Sequence, residues 1–273
     1  MFREIIDHPK YGTTHNGYRV LEKYWRSFGL GDPTGIDLLG ESSGNVPTVE
    51  RLAKRHGKKW RSSMVISLGI GQGEILLTPL QLANVAAILA NRGYYIPPHL
   101  LKKVNGLKNS GIKDEYLTKK VIPIDKVHFE TVIEGMSQVL KPGGTANGIG
   151  INGIEICGKT GTSENPHGQD HSIFIAFAPK DDPKIAIAVF VENGYWGGRW
   201  AAPIASLMIE KYIKGTITRT DLEQWVMERT LEHEYDKPFS GEPFGINAKS
   251  QIMLVKDYEL QKKKVKTNQR DIE

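Results

Sequence analysis

Residues 184–192 read Lys-Ile-Ala-Ile-Ala-Val-Phe-Val-Glu, an unbroken apolar run closed at each end by a charge. A run this short and this apolar is what a central strand looks like, because a strand buried on both faces loses the polar alternation of a half-exposed one. Just before it, Asp181-Asp182-Pro183 supplies turn chemistry, and residues 172–179 form a second strand candidate, so the two segments are predicted to make a hairpin. A third strand is predicted over residues 154–162. A hairpin preceded by one further strand candidate is therefore expected in this part of the chain.

The remaining segments supply helices. Residues 1–30 are predicted to be helical in pieces, broken at Pro9-Lys10-Tyr11-Gly12, with the piece 17–28 stopping at Gly29. Residues 31–47 are rich in Gly, Pro, Ser and Asp and read as loop. Residues 49–60 form a basic helix candidate, and a glycine-punctuated stretch covers 67–74. Thr78-Pro79 opens a helix over 78–90 with a cap and a first-turn proline, and Asn91-Arg92-Gly93 ends it. Its apolar positions cover most of its surface, which predicts burial. Residues 101–120 are polar and poorly patterned. An amphipathic helix is predicted over 125–140 and another over 203–213. Beyond Gly215 the chain becomes charged and weakly periodic, so 215–273 is read as a tail with one short helix around 221–232.

With 273 residues the chain can form one large domain or two small ones, and 39% apolar against 25% charged residues is ordinary globular composition. The net charge of +5 owes much to Lys262, Lys263, Lys264 and Lys266, a cluster read as a solvated tail. No aromatic residues interleave with these charges and no nucleic-acid motif accompanies them. Cys157 is the single cysteine, which excludes an intrachain disulfide and a cysteine-based metal cluster. No run of about 18 apolar residues offers a transmembrane helix. The start, Met1-Phe2-Arg3-Glu4-Ile5-Ile6-Asp7, carries charges inside its apolar stretch and reads as the tail of an amphipathic helix, not a signal peptide. The chain is expected to begin inside a larger protein.

Chemistry concentrates at Cys157-Gly158-Lys159-Thr160-Gly161-Thr162, which admits two functional readings. Residues 153–160 fit the phosphate-binding pattern G-x-x-x-x-G-K-[ST] letter for letter. That loop needs a buried strand before its first glycine and a helix after its Lys-Thr. Here a glycine-rich stretch, 148–153, comes before, while Gly161, Asn165, Pro166 and Gly168 come after, so a nucleotidase is the weaker reading. The second reading is the Lys-Thr-Gly strand of serine acyl-transferases that act on D-alanyl peptides and β-lactams. An extended peptide adds to a strand edge. Gly161 lets the backbones approach. Lys159 offers a positive charge, and the hydroxyls of Thr160 and Thr162 offer hydrogen bonds to a terminal carboxylate. The Thr162 N–H can donate to a developing oxyanion. Taken alone, the tetrapeptide also fits an edge strand with no such role.

Its surroundings resemble the monofunctional class B penicillin-binding proteins. Gly35-Ile36-Asp37-Leu38, Gly71-Gln72-Gly73 with Thr78-Pro79-Leu80-Gln81-Leu82-Ala83-Asn84, Gly143-Gly144-Thr145-Ala146, Asn165-Pro166-His167-Gly168, residues 174–179 and Val191-Glu192-Asn193-Gly194 occur in the order of the elongation type, penicillin-binding protein 2. The resemblance covers residues 1–214 and divides the chain there. It implies an α/β (α+β) fold of the penicillin-binding and β-lactamase-like kind, an antiparallel sheet flanked by helices, with the N-terminal strands and nucleophile helix lying outside the chain. It also implies a D,D-transpeptidase of peptidoglycan cross-linking, with Lys159, Thr160, Gly161 and Thr162 as substrate and oxyanion residues. The implied partners are a stem peptide or β-lactam in the complete enzyme, the remaining N-terminal half and membrane proteins of the elongation machinery. The implied place is the periplasmic face of the inner membrane; no cofactor or metal is implied. A β-lactam-sensing receptor domain is an alternative that shares the strand motif.

The family's other two motifs are Ser-x-x-Lys, which holds the nucleophile, and Ser-x-Asn. Ser110-Gly111-Ile112-Lys113 and Ser43-Gly44-Asn45 match by letters only, in a polar stretch and a loop where the family carries neither. No catalytic nucleophile is expected in this chain, and the fragment is expected to be inactive. The family's sheet has five strands, two of them from before the nucleophile and flanking 184–192, so the chain alone is expected to be unstable, self-associated or dependent on that half. His167 and His171 flank the loop after Thr162. With Asp170 they lack a further ligand at suitable spacing and read as loop-holding groups. Trp196 and Trp200 read as packing residues, and Cys157 as a buried small apolar one.

Overall fold

A computed structural model of the chain describes residues 2–105 and 112–235. Helix α1 (Phe2–Ile6) crosses α2 (Thr14–Ser27) at Gly17, where an added Cβ would lie 2.0 Å from the Ile6 carbonyl oxygen. The break between them is a single 3₁₀ turn, Pro9–Tyr11, closed by Gly12 at φ 73°. The Thr13 hydroxyl caps α2, accepting from the Asn16 N–H at 3.2 Å, so the helix begins three residues before the expected start. Helix α3 (Val49–His56) is capped by Thr48 and stops at Gly57, φ 89°, which shortens the expected 49–60 segment. Ile6, Tyr18, Val49, Leu52, Trp60, Val65 and Leu68 form one helical core. There the Tyr18 hydroxyl donates to the Pro47 carbonyl at 2.7 Å.

Helix α4 (Pro79–Ala90) opens on a complete capping box. The Gln81 N–H donates to the Thr78 hydroxyl at 3.1 Å, and the Thr78 N–H donates to Gln81 Oε1 at 3.0 Å. As predicted, the helix is buried along most of its length, from Gln81 to Ala90. Short strands β1 (Tyr94–Tyr95) and β2 (Lys120–Val121) pair, and α5 (Lys126–Gln138) follows. Ser110 and Gly111 lie outside the described residues, as does the 262–266 lysine cluster.

The sheet is antiparallel in the order β3 (Cys157–Ser163), β4 (His171–Ala178), β5 (Ile185–Val191). The hairpin forms at Asp181-Asp182-Pro183, with Ala178 opposite Ile185. Strand β3 begins three residues later than expected, because Ile154 is drawn into a turn with Ile151, to whose carbonyl it donates at 3.1 Å. Strand β4 lies between the other two and is covered on both faces. One face puts Phe174, Ala176 and Ala178 against α6 (Ala201–Lys214), together with Ile187 of β5. The other puts Phe177 and Cys157 against α4 and α5, through Ile88, Leu89, Phe129 and Ile133. Burying Phe174 and Phe177, both at 0% exposure, contributes on the order of 2–3 kcal/mol each. Strand β5, expected to be central, has one strand neighbour among the described residues.

After Gly215, at φ 76°, the chain turns back into α7 (Thr220–Glu228), then α8 (Glu232–Tyr235). The expected boundary at residue 214 is crossed by partly buried contacts. Arg219 Nε donates to Glu210 of α6 at 2.9 Å, and the rings of Trp200 and Trp225 lie 5.5 Å apart.

Candidate active site

The residues singled out by sequence lie on β3, which is half-exposed from Lys159 onward. Their backbone is in register with β4, Thr160 opposite Phe174 and Gly161 opposite Ile173. This disposes of the phosphate-loop reading. Gly158, Lys159 and Thr160 are ladder residues of a continuing strand, and no helix starts at the Lys-Thr pair.

Alternation along the strand places Thr160 and Thr162 on one face and Lys159 on the other. The two threonines line a pocket of about 600 Å³ with Thr145, Trp196, Gly197, Gly198 and Arg199. The hydroxyls of Thr145 and Thr160 are hydrogen-bonded at 2.8 Å. Lys159 is not in the lining; its Nζ donates to the Thr160 carbonyl at 2.6 Å. From across the chain, Gln72 Nε2 donates to the Thr162 carbonyl at 3.3 Å. Sequence reasoning assigned no role to Thr145 or Gln72, although both sit in segments already notable for resemblance.

The far wall is the loop between β5 and α6. Ser172, fully buried on β4, fixes it by donating to the Trp196 carbonyl at 2.9 Å and accepting from the Ala201 N–H at 3.0 Å. The second bond satisfies a helix-start amide that lacks a side-chain cap of its own. Gly197 packs directly on the strand: an added Cβ would lie 2.3 Å from the Ile173 carbonyl oxygen and 2.5 Å from that of Gly161. Arg199 stacks over the Tyr195 ring at 5.0 Å. Trp200 is a packing residue, as expected, but Trp196 is not. It is 74% exposed and faces the pocket. In a glycine-rich loop the letters of an exposed and a buried indole look alike, which is why the packing expectation was wrong for Trp196.

The loop after Thr162 is held by amides. Asn165 Nδ2 donates to Asn193 Oδ1 at 2.9 Å and to the Gln169 carbonyl at 3.2 Å. Asn193, at φ 52°, donates its N–H to His171 Nδ1 at 3.2 Å. Burial holds the His171 pKa below its ordinary value, against the opposing pull of Glu192 and Asp170. His171 is therefore a loop-holding group. Asn45, the end of the Ser43-Gly44-Asn45 match, bonds the Glu74 carbonyl and Arg51, and so holds a neighbouring loop in place.

Residues 12–210 match the penicillin binding protein transpeptidase domain family. The chain belongs to this family. Over 239 residues it is 32% identical to the peptidoglycan D,D-transpeptidase MrdA of Haemophilus influenzae, covering 80% of this chain and 36% of that one. It spans about a third of the length of such curated relatives. Among solved structures it is similar to penicillin-binding protein 2 (PBP2) of Pseudomonas aeruginosa in complex with WCK 5153, at 33% identity and a TM-score of 0.63, covering 78% and 47% of the two chains. It is also similar to PBP2 from Helicobacter pylori in complex with MreC, at 28% identity and a TM-score of 0.60, covering 72% and 36%. The transpeptidase fold, helices around an antiparallel sheet, is thus shared, and the kinship is to the PBP2 type of peptidoglycan cross-linking enzyme.

Proposed function

We propose that this chain forms the substrate-side wall of a peptidoglycan D,D-transpeptidase site. In the complete enzyme a serine attacks the D-Ala–D-Ala bond, and an amine of a neighbouring stem peptide resolves the acyl-enzyme. Thr160 and Thr162 bind the peptide's terminal carboxylate, Gly161 admits its backbone, and the Thr162 N–H donates to the oxyanion. Lys159 supplies positive charge from the opposite side of the strand. The observation that carries the reading is the pocket itself. Three threonine hydroxyls face Arg199 and Trp196 across a space about 600 Å³ in volume, beside the strand a peptide would join.

No serine of this chain is assigned the nucleophile's role, so the chain is expected to bind β-lactams and stem peptides without being acylated. Two measurements test this. Titration with an acyl-D-Ala-D-Ala peptide, followed by heteronuclear NMR, should move the Thr160–Thr162 amides, and Thr160→Val with Thr162→Val should weaken binding at least about tenfold, the loss of one to two charge-assisted hydrogen bonds. Labelled penicillin should leave no covalent adduct; a stoichiometric serine adduct, sought first at Ser110, would overturn the assignment. The protein's place is proposed to be the periplasmic face of the inner membrane, among membrane proteins of the elongation machinery. The MreC complex of the Helicobacter pylori relative supports that association. Among the described residues no helix is long and apolar enough to cross a membrane.

A further inference from the structure

The helical layer carries a second cleft, of about 510 Å³, lined by Arg51, Lys54 and Arg55 of α3 and by Asn45, Glu74 and Leu76 opposite. The three cations fall at i, i+3 and i+4 and so share one face of the helix. The helix is anchored in the core by Val49 and Leu52, which are 4% and 1% exposed, and Leu52 also borders the cleft. Two of the three cations are held in place by their neighbours. Arg51 Nη1 donates to Asn45 Oδ1 at 2.7 Å, and Arg55 Nε lies 3.2 Å from Glu74 Oε1, an oxygen shared with His56 Nε2 at 2.9 Å. Asn45 carries no charge, so Arg51 is oriented without being neutralised. Lys54 has no ion-pair partner among the described residues. One carboxylate against three cations leaves about two positive charges in the cleft. Lys58, Lys59 and Arg61 follow within the next residues and add to the field.

We infer that this cleft is a binding site for a phosphate-bearing ligand, of the size and charge of a diphosphate. Guanidinium forks fixed through one nitrogen keep their remaining N–H donors for an oxyanion, and planar forks match phosphate oxygens in pairs. Lys54 adds a mobile point charge between them. Glu74, by orienting Arg55, keeps that fork from folding onto the protein surface. The cleft lies close to the strand described above. Gly73, at φ 77°, turns the chain so that Gln72 reaches the Thr162 carbonyl while Glu74 faces the cleft. A Cβ at Gly73 would lie 2.6 Å from Ser67 Oγ, so this turn is specific to glycine. The inference does not depend on the transpeptidase reading.

The test is calorimetric titration of the full chain with inorganic pyrophosphate. One site is expected, with affinity that falls as salt is raised. Arg51→Gln with Lys54→Gln should weaken it at least tenfold. Lys54→Glu alone, an exposed change that disturbs no ion pair among the described residues, should weaken it by a similar factor. The remote pair Lys119→Gln and Lys120→Gln should leave it unchanged. Vesicles of phosphatidylglycerol, against phosphatidylcholine controls, identify the source of the phosphate. Vesicle binding that pyrophosphate displaces and Lys54→Glu abolishes assigns a lipid headgroup; pyrophosphate binding without vesicle binding assigns a soluble ligand. No binding of either, or equal losses in the cleft variants and the remote pair, would overturn the site.

Discussion

Glu210 of α6 is fully buried and receives Arg219 Nε at 2.9 Å, and the same guanidinium donates through Nη1 to the Ile149 carbonyl at 2.8 Å. One side chain from beyond the family-matched residues thus ties α6 to the loop that leads into β3. The Glu210 pKa lies below the ordinary glutamate value: burial pushes it up, and the hydrogen bonds from Thr218 and Arg219 outweigh that. Arg219→Met leaves the carboxylate buried with a weaker set of partners. The expected loss is roughly 3 kcal/mol, which lowers Tm by about 6–12 °C. Arg219→Lys restores charge without the fork and should fall between. A melting curve for Arg219→Met that matches the parent would show that the pair contributes nothing.

Glycine substitutions along the site should separate by what a methyl group would meet. At Gly158 a Cβ would lie 2.3 Å from Phe174 Cζ, and at Gly197 it would meet two carbonyl oxygens. At Gly161 the nearest atom is Ile173 Cβ at 3.3 Å, a tight but yielding contact. Gly158→Ala and Gly197→Ala are expected to destabilise by about 1–3 kcal/mol, and Gly161→Ala by less than about 1 kcal/mol. Denaturant midpoints give the order directly, and a Gly161→Ala loss equal to the other two would contradict the packing described.

The bond from the Asn193 N–H to His171 Nδ1 requires that nitrogen to be unprotonated. Because the folded-state pKa is depressed, the contribution to stability is complete above the ordinary histidine value of 6.5 and is lost as pH falls through the lower, folded-state value. Melting temperatures should therefore decline on acidification from neutral pH. His171→Gln, whose amide oxygen can accept the same bond without titrating, should flatten that part of the profile. An unchanged pH slope in the glutamine variant would assign the decline to other groups.

Strand β5 presents one hydrogen-bonding edge with no strand against it among the described residues, and Phe190 beside it is 39% exposed. Such an edge templates further pairing. Sedimentation velocity should show the isolated chain self-associating as its concentration rises. A monodisperse monomer with a sharp thermal transition would count against this.

What could be read from sequence was the locally determined part. The Thr78-Pro79 start of α4 and the Asp-Asp-Pro turn of the hairpin carry their own hydrogen-bonding chemistry, so their letters suffice. The start of β3 was misplaced because Ile154 alternates like a strand residue yet is drawn into a turn by Ile151, three residues ahead of it. The Lys159–Thr162 wall was legible, but its partners were not. Thr145, Gln72, Trp196 and Arg199 reach the strand from distant segments, and only the folded chain brings them there. Arg219 was hidden in a stretch read as charged tail, since a buried ionic tie and a solvated charge share the same letter.

Cys157 sits at 0% exposure at the head of β3, opposite Phe177, and burial pushes its thiol pKa up to about 12. A thiol so protonated and so shielded is a poor nucleophile. The native chain is in effect free of reactive sulfur, so a cysteine placed at Trp196 would take a fluorophore or spin label selectively. The mouth of the pocket could then be followed spectroscopically without first removing the protein's own cysteine.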